Sequence, residues 1–135
     1  MSPASFVKLY LLTLPVLIAA DAVWLGLVAR GFYRRHLGAL LRPDVQWWAA
    51  AAFYLLFLGG VLVLAVLPAL ERQSAGRAVA LGALLGFVAY ATYDLTNLAT
   101  LRGFPPVVAA VDLVWGTVLS ATLARAAYGL AGLLR

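Results

Sequence analysis

Apolar residues run along this chain in four long blocks, separated by short polar stretches, with no strict two-residue alternation inside a block. Continuous runs of this kind cross a bilayer as helices, which satisfy their own backbone groups, whereas barrel strands alternate. A hydrocarbon core of ~30 Å needs about 20 helical residues. The blocks that reach this length run from about Phe6 to Ala29, Gln46 to Leu67, Ala78 to Leu98 and Val107 to Leu130. Short connections make successive helices antiparallel neighbours. The pattern therefore predicts an all-α fold, an integral membrane antiparallel four-helix bundle, as one domain over residues 1–135.

The connections carry turn and charge signals. Arg30, Arg34, Arg35, His36 and Arg42 form a basic first loop closed by Pro43 and Asp44. The second span ends near Pro68, and Glu71, Arg72 and Arg77 fill the second loop. LRGFPP makes the third turn, with glycine and proline as breakers. MSPASFVK, LYLLTLPVLI and AADA share the layout of a removable signal. The apolar stretch continues past Asp21 as AVWLGLVA, however, so the segment reads as a membrane helix. Loops one and three hold slightly more arginine than the opposite side, which favours placing them in the cytoplasm. Phe32, Tyr33, Trp47, Trp48 and Phe104 lie at loop or span-end positions and read as interface aromatics.

Composition agrees with the pattern. Hydrophobic residues make up 65% and charged residues 11% of 135 positions, too apolar for a water-soluble domain of this size. There is no cysteine and a single histidine, His36. That excludes disulfides, thiolate chemistry and multi-histidine zinc or haem ligation within one chain. No metal site and no cofactor is assigned. The net charge of +5 fits anionic lipid headgroups better than nucleic acid, because the basic residues cap apolar runs.

Polar residues inside the spans carry the chemistry. Asp21 lies nine residues before Arg30, Asp94 eight before Arg102, and Asp112 seven after Pro105. In an antiparallel bundle these positions fall at one depth, roughly 10 Å inside the face shared by loops one and three. Tyr54 of the second span reaches the same layer. Asp21 and Trp24, Asp94 and Asn97, and Asp112 and Trp115 are each three residues apart and share a helix face. Tyr90 continues the Asp94 stripe, and Tyr93 adjoins it. The first and fourth spans repeat a short D-x-V-W pattern as DAVW and DLVW. An ionised aspartate facing lipid costs at least ~2.5–3.5 kcal/mol, so these side chains are expected to face protein or water. With no lysine or arginine in the layer, protonation, hydroxyl donors, water or a bound cation must neutralise them. Trp24, Trp115 and Tyr90 offer aromatic faces to such a cation.

Other residues set the frame. Gly82 and Gly86 form a G-x-x-x-G pair that allows close helix approach, and Gly59 and Gly60 suggest a matching approach on the second span. Pro15 suggests a kink in the first. Arg30, Arg34 and Arg35 most simply set topology and touch phosphate, and Arg102 is a candidate gate or partner of the acidic layer. Thr96 and Asn97 are candidate donors to it.

The segments DAVWLGLVARGFYRRHLGALL, AAFYLLFLGGVLVLAVLPAL, GALLGFVAYATYDLTNLATLRGFP and VDLVWGTVLS cover most of the chain. In these, and most specifically in YATYDLTNLATLRG, the sequence resembles the bacterial predicted membrane proteins grouped as domain of unknown function 2177. The resemblance implies a bacterial inner-membrane protein with four spans. It implies no established activity and carries no catalytic residues.

Three functions compete on these observations. One is a small transporter-like or ligand-binding protein that takes a cation or small organic solute at the Asp/Trp layer, with proton coupling through its acids and a homodimer compatible with the loop charges. The second is a membrane enzyme acting on a lipid or isoprenoid-like substrate, with an aspartate as acid or base and two or three carboxylates available to Mg²⁺. The third is an assembly subunit of a membrane complex. The first is preferred, with membrane lipids and a small-molecule ligand as partners and no nucleic acid.

Overall fold

The computed structural model describes residues 1–135. Four helical spans cross the molecule: Pro3–Val28, Trp47–Glu71, Ala75–Thr100 and Pro106–Leu134. The first consists of α1 (Pro3–Val23) and a wide π turn, Trp24–Val28. A short helix, α2 (Arg30–Leu37), follows. The second span is α3 (Trp47–Val61), a π segment (Leu62–Val66) and α4 (Leu67–Glu71). The last two spans are α5 (Ala75–Thr100) and α6 (Pro106–Ala131), the latter tightening into a final 3-10 turn.

Local chemistry sets the ends. The Ser2 hydroxyl accepts the Ser5 N–H at 3.1 Å, and Pro3 opens α1 where its missing donor costs nothing. Ser74 caps α5 in the same way, accepting from the Arg77 N–H at 3.1 Å. Pro106 opens α6. Between them Gly103 takes a φ of 74°, a conformation open to glycine at no steric cost. The second span does not stop at Pro68 as the sequence suggests. The π segment loosens the turn just ahead of that proline, and the helix continues to Glu71.

The first loop also departs from expectation, because half of it is helical. In α2, Phe32, Tyr33 and Leu37 pack against Phe104, Val108 and Ala109 at the α5–α6 turn. Arg30, Arg34 and Arg35 stay exposed. An apolar side facing protein and a basic side facing out make this segment a helix at the bundle's end. Tyr33 and Phe104 are consequently inside the molecule's packing, whereas Trp47 and Trp48 are each 73% exposed as interface residues are expected to be.

The most extensive interface is between α5 and α6. A Cβ on Gly86 would overlap the Gly116 carbonyl, and one on Gly82 would sit 2.7 Å from the Ala124 Cβ. Small residues here bring two backbones together, which is where a bilayer helix pair gains its packing energy. Gly59 and Gly60 do not repeat this. A Cβ at either would meet nothing within 4 Å, so the expected close approach on the second span is absent. That span instead packs through larger side chains such as Leu58, Val61, Leu62 and Val66, all fully buried. Pro15 is accommodated within an uninterrupted α1. Leucines and valines such as Leu27, Leu56 and Val114 point outward, 66–81% exposed, as lipid-facing side chains should.

Candidate acidic and aromatic site

Asp21, Asp94 and Asp112 are all buried, and Asp94 is 0% exposed. None faces the outside of the bundle. Asp21 and Asp112 both line one cleft of about 570 Å³, together with Trp24, Tyr90, Tyr93 and Trp115. Arg30, Tyr33 and Arg34 come to the same cleft from α2.

Each lining carboxylate is held by side-chain donors from other elements. The Tyr54 hydroxyl donates to Asp21 Oδ2, and Trp115 Nε1 donates to Asp21 Oδ1 at 3.3 Å. The Tyr33 hydroxyl donates to Asp112 Oδ1 and accepts in turn from Trp24 Nε1 at 3.2 Å. The two indoles lie face to face, with centroids 4.5 Å apart and planes 5° apart. The D-x-V-W repeat thereby acquires a structural meaning. The tryptophan of α6 serves the aspartate of α1 directly. The tryptophan following α1 serves the aspartate of α6 through Tyr33. Burial, and then the bond to Asp112, push the Tyr33 phenol above its ordinary range.

Asp94 is arranged differently. Its carboxyl faces that of Asp112, and neither of its oxygens has a hydrogen-bond partner. Two ionised carboxylates are acceptors only, so this contact has no donor unless a proton is shared between them. Behind Asp112 a second, smaller cleft of about 300 Å³ opens between Phe53, Ala89, Tyr90 and Tyr93. Asp112 thus borders both cavities and adjoins Asp94, which lines neither.

The remaining expected site residues fall outside the cleft. Tyr54 lines no part of it but supports Asp21 from α3. Asn97 is half-buried, and Thr96 directs its hydroxyl at the carbonyls of Thr92 and Tyr93, so neither donates to the acids. Arg35 and Arg102 are exposed and line no part of the cleft. The third turn delivers Phe104 to that wall, and Arg102 is not among the lining residues. Asp21, Asp94 and Asp112 also do not form a three-carboxylate cluster able to hold a metal ion. The residue that sequence reasoning missed is Tyr33, taken for an interface aromatic. The spacing of Phe32, Tyr33 and Leu37 against the arginines between them was the available signal for α2.

Four long apolar helices and an inward-facing acidic and aromatic layer define a multi-span membrane protein. The chain matches the family described as "Predicted membrane protein (DUF2177)" over residues 6–129, and it belongs to that family. No curated protein and no solved structure matches the chain.

Proposed function

We propose that this protein is a bacterial inner-membrane, transporter-like ligand-binding protein that takes a cationic group of a small organic solute between Asp21 and Asp112. The observation that carries this reading is that two carboxylates from different helices open on one cleft, walled by Trp24, Trp115, Tyr90 and Tyr93. An ammonium entering such a space gives up water. It gains two carboxylates already fixed in place and aromatic faces, each of the latter contributing about 0.5–2 kcal/mol. The hydroxyl and indole donors hold both acids in place before the ligand arrives.

Two features favour movement of the ligand over static binding. Tyr33 reaches Asp112 from α2, so a cation taking that carboxylate competes with the bond that holds α2 down. Asp94, lacking a donor beside Asp112, is the group through which a proton would enter or leave when the cation comes and goes.

The test is uptake and binding of tetramethylammonium and larger organic cations by the full chain in reconstituted vesicles. Asp112→Asn is expected to weaken binding about tenfold or more, and Asp94→Asn to remove the pH dependence of uptake. Asp44→Asn, at an exposed site paired only with Arg42, should change neither. Unaltered cation binding in both Asp112→Asn and Asp21→Asn would sink the reading.

A further inference from the structure

The cleft brings together acidic and basic side chains that form no ion pair with one another. Asp21 and Asp112 are buried in its wall, while Arg30 and Arg34 are exposed at its edge on the α2 side. The one ion pair in the molecule is Arg42–Asp44, at 4.0 Å. The arginines of the cleft are therefore within 4 Å of no carboxylate. A simple cation would satisfy the aspartates and face like charge at the edge. A simple anion would do the reverse. A ligand with an amine and an acidic group a few bonds apart meets both demands, and the guanidinium fork suits a phosphate or carboxylate.

A second cavity supplies the other half of the argument. A groove of about 520 Å³ runs along the outside of α6, lined by Trp24, Ala110, Val111, Val114, Trp115 and Val118. It contains no charged side chain, and Val114 and Val118 are 66% and 51% exposed toward the lipid. Trp24 and Trp115 belong to both cavities. The stacked indoles thus border both a polar cleft lined by acidic and basic side chains and an apolar groove.

We propose that the ligand is an amphiphile: a head carrying both an amine and an acidic oxygen group sits in the cleft, and its hydrocarbon tail lies in the groove beyond the Trp24–Trp115 stack. This rests on the reading above that a cationic group binds at Asp21 and Asp112, and it adds the acidic group and the tail. The amine meets Asp21 and Asp112, the acidic group meets Arg30 and Arg34, and the tail follows Val111, Val114 and Val118.

The experiment uses the full chain in detergent with Trp47→Phe and Trp48→Phe, so that tryptophan emission reports Trp24 and Trp115 alone. Four probes are titrated: lysophosphatidylethanolamine, dodecyl phosphate, dodecylamine and tail-free phosphoethanolamine. The expected result is that lysophosphatidylethanolamine binds at least about tenfold tighter than each of the others. A combined Arg30→Gln and Arg34→Gln variant should reduce it to the level of dodecylamine. Asp112→Asn, or Asp21→Asn where the first does not fold, should reduce it to that of dodecyl phosphate. Dodecylamine binding as tightly as the zwitterion would overturn the acidic-group assignment while leaving the cation reading intact. Phosphoethanolamine binding as tightly would overturn the tail. If no amine-bearing probe binds, this inference and the cation reading fail together.

Discussion

Two faces of α6 solve opposite problems. Toward α5 it presents Gly116, Ser120 and Ala124, which meet Gly82, Gly86 and the Tyr90 ring at close range. Toward α1 and α2 it presents Asp112 and Trp115, which meet Tyr33, Asp21 and Trp24 through polar tips and a ring stack. Small residues on the first face let backbones touch, and dispersion over many atom pairs holds the pair together. Large aromatic residues on the second keep the backbones apart and leave a cleft between them. A helix pair cannot have both, because the side-chain volume that props a cavity open is the volume that a close seam excludes. The molecule places rigidity at α5–α6 and uses it to hold Asp94 and Asp112 in fixed relation to the looser α1–α2 side.

The comparison breaks most visibly at the seam. Gly86→Leu should destabilise the fold by about 3 kcal/mol or prevent assembly, since its Cβ alone overlaps the Gly116 backbone. Gly60→Ala, with open space around it, should be neutral or slightly stabilising through helix propensity. Unfolding in mixed micelles with increasing SDS measures both. Equal effects at the two positions would show that the seam is not where the stability lies.

On the cleft side the expected effects are smaller. Tyr54→Phe removes one of the two side-chain donors to Asp21 and should cost about 1 kcal/mol in the same assay. Interhelical hydrogen bonds in bilayers average below what buried charge-assisted bonds contribute in soluble proteins. A loss as large as that of Gly86→Leu would mean that polar contacts, not the seam, dominate.

The smallest effect concerns α2. The Tyr33 phenol is raised above the ordinary value near 10 by burial and then by its bond to Asp112. A phenol raised in the folded state stabilises that state fully below its unfolded value and loses the contribution as pH rises through the raised one. Hydrogen exchange of α2 should therefore stay protected through pH about 10 and increase only above it, and Tyr33→Phe should remove the alkaline step. Loss of protection near pH 8 would show that the Tyr33–Asp112 bond does not hold α2.

Hydropathy was enough to find the spans, because a bilayer imposes a length of apolar chain that few other structures share. That Asp21, Asp94 and Asp112 would avoid the outside of the bundle was also legible, since an ionised carboxylate facing lipid is costly. The place of Arg102 in sequence left open which residue of the third turn lines the cleft. Its nearness in sequence to the acids says nothing about which turn residue faces the cleft, and Phe104 took that place. Gly59 and Gly60 misled for a related reason: a glycine pair permits a close approach, but only a facing small surface uses it.

What the sequence determined alone were properties set by one helix at a time: four spans, an aspartate inside each of three of them, a G-x-x-x-G stripe and the D-x-V-W repeat. Relations between helices were decided by the tertiary structure. It crossed Trp115 to Asp21, inserted Tyr33 between Trp24 and Asp112, and set Asp94 behind Asp112 without a donor. These depend on how helices rotate and lean against one another, which follows from side-chain packing over the whole bundle. A single helix's pattern limits that rotation to a face, and the neighbouring helices select the angle.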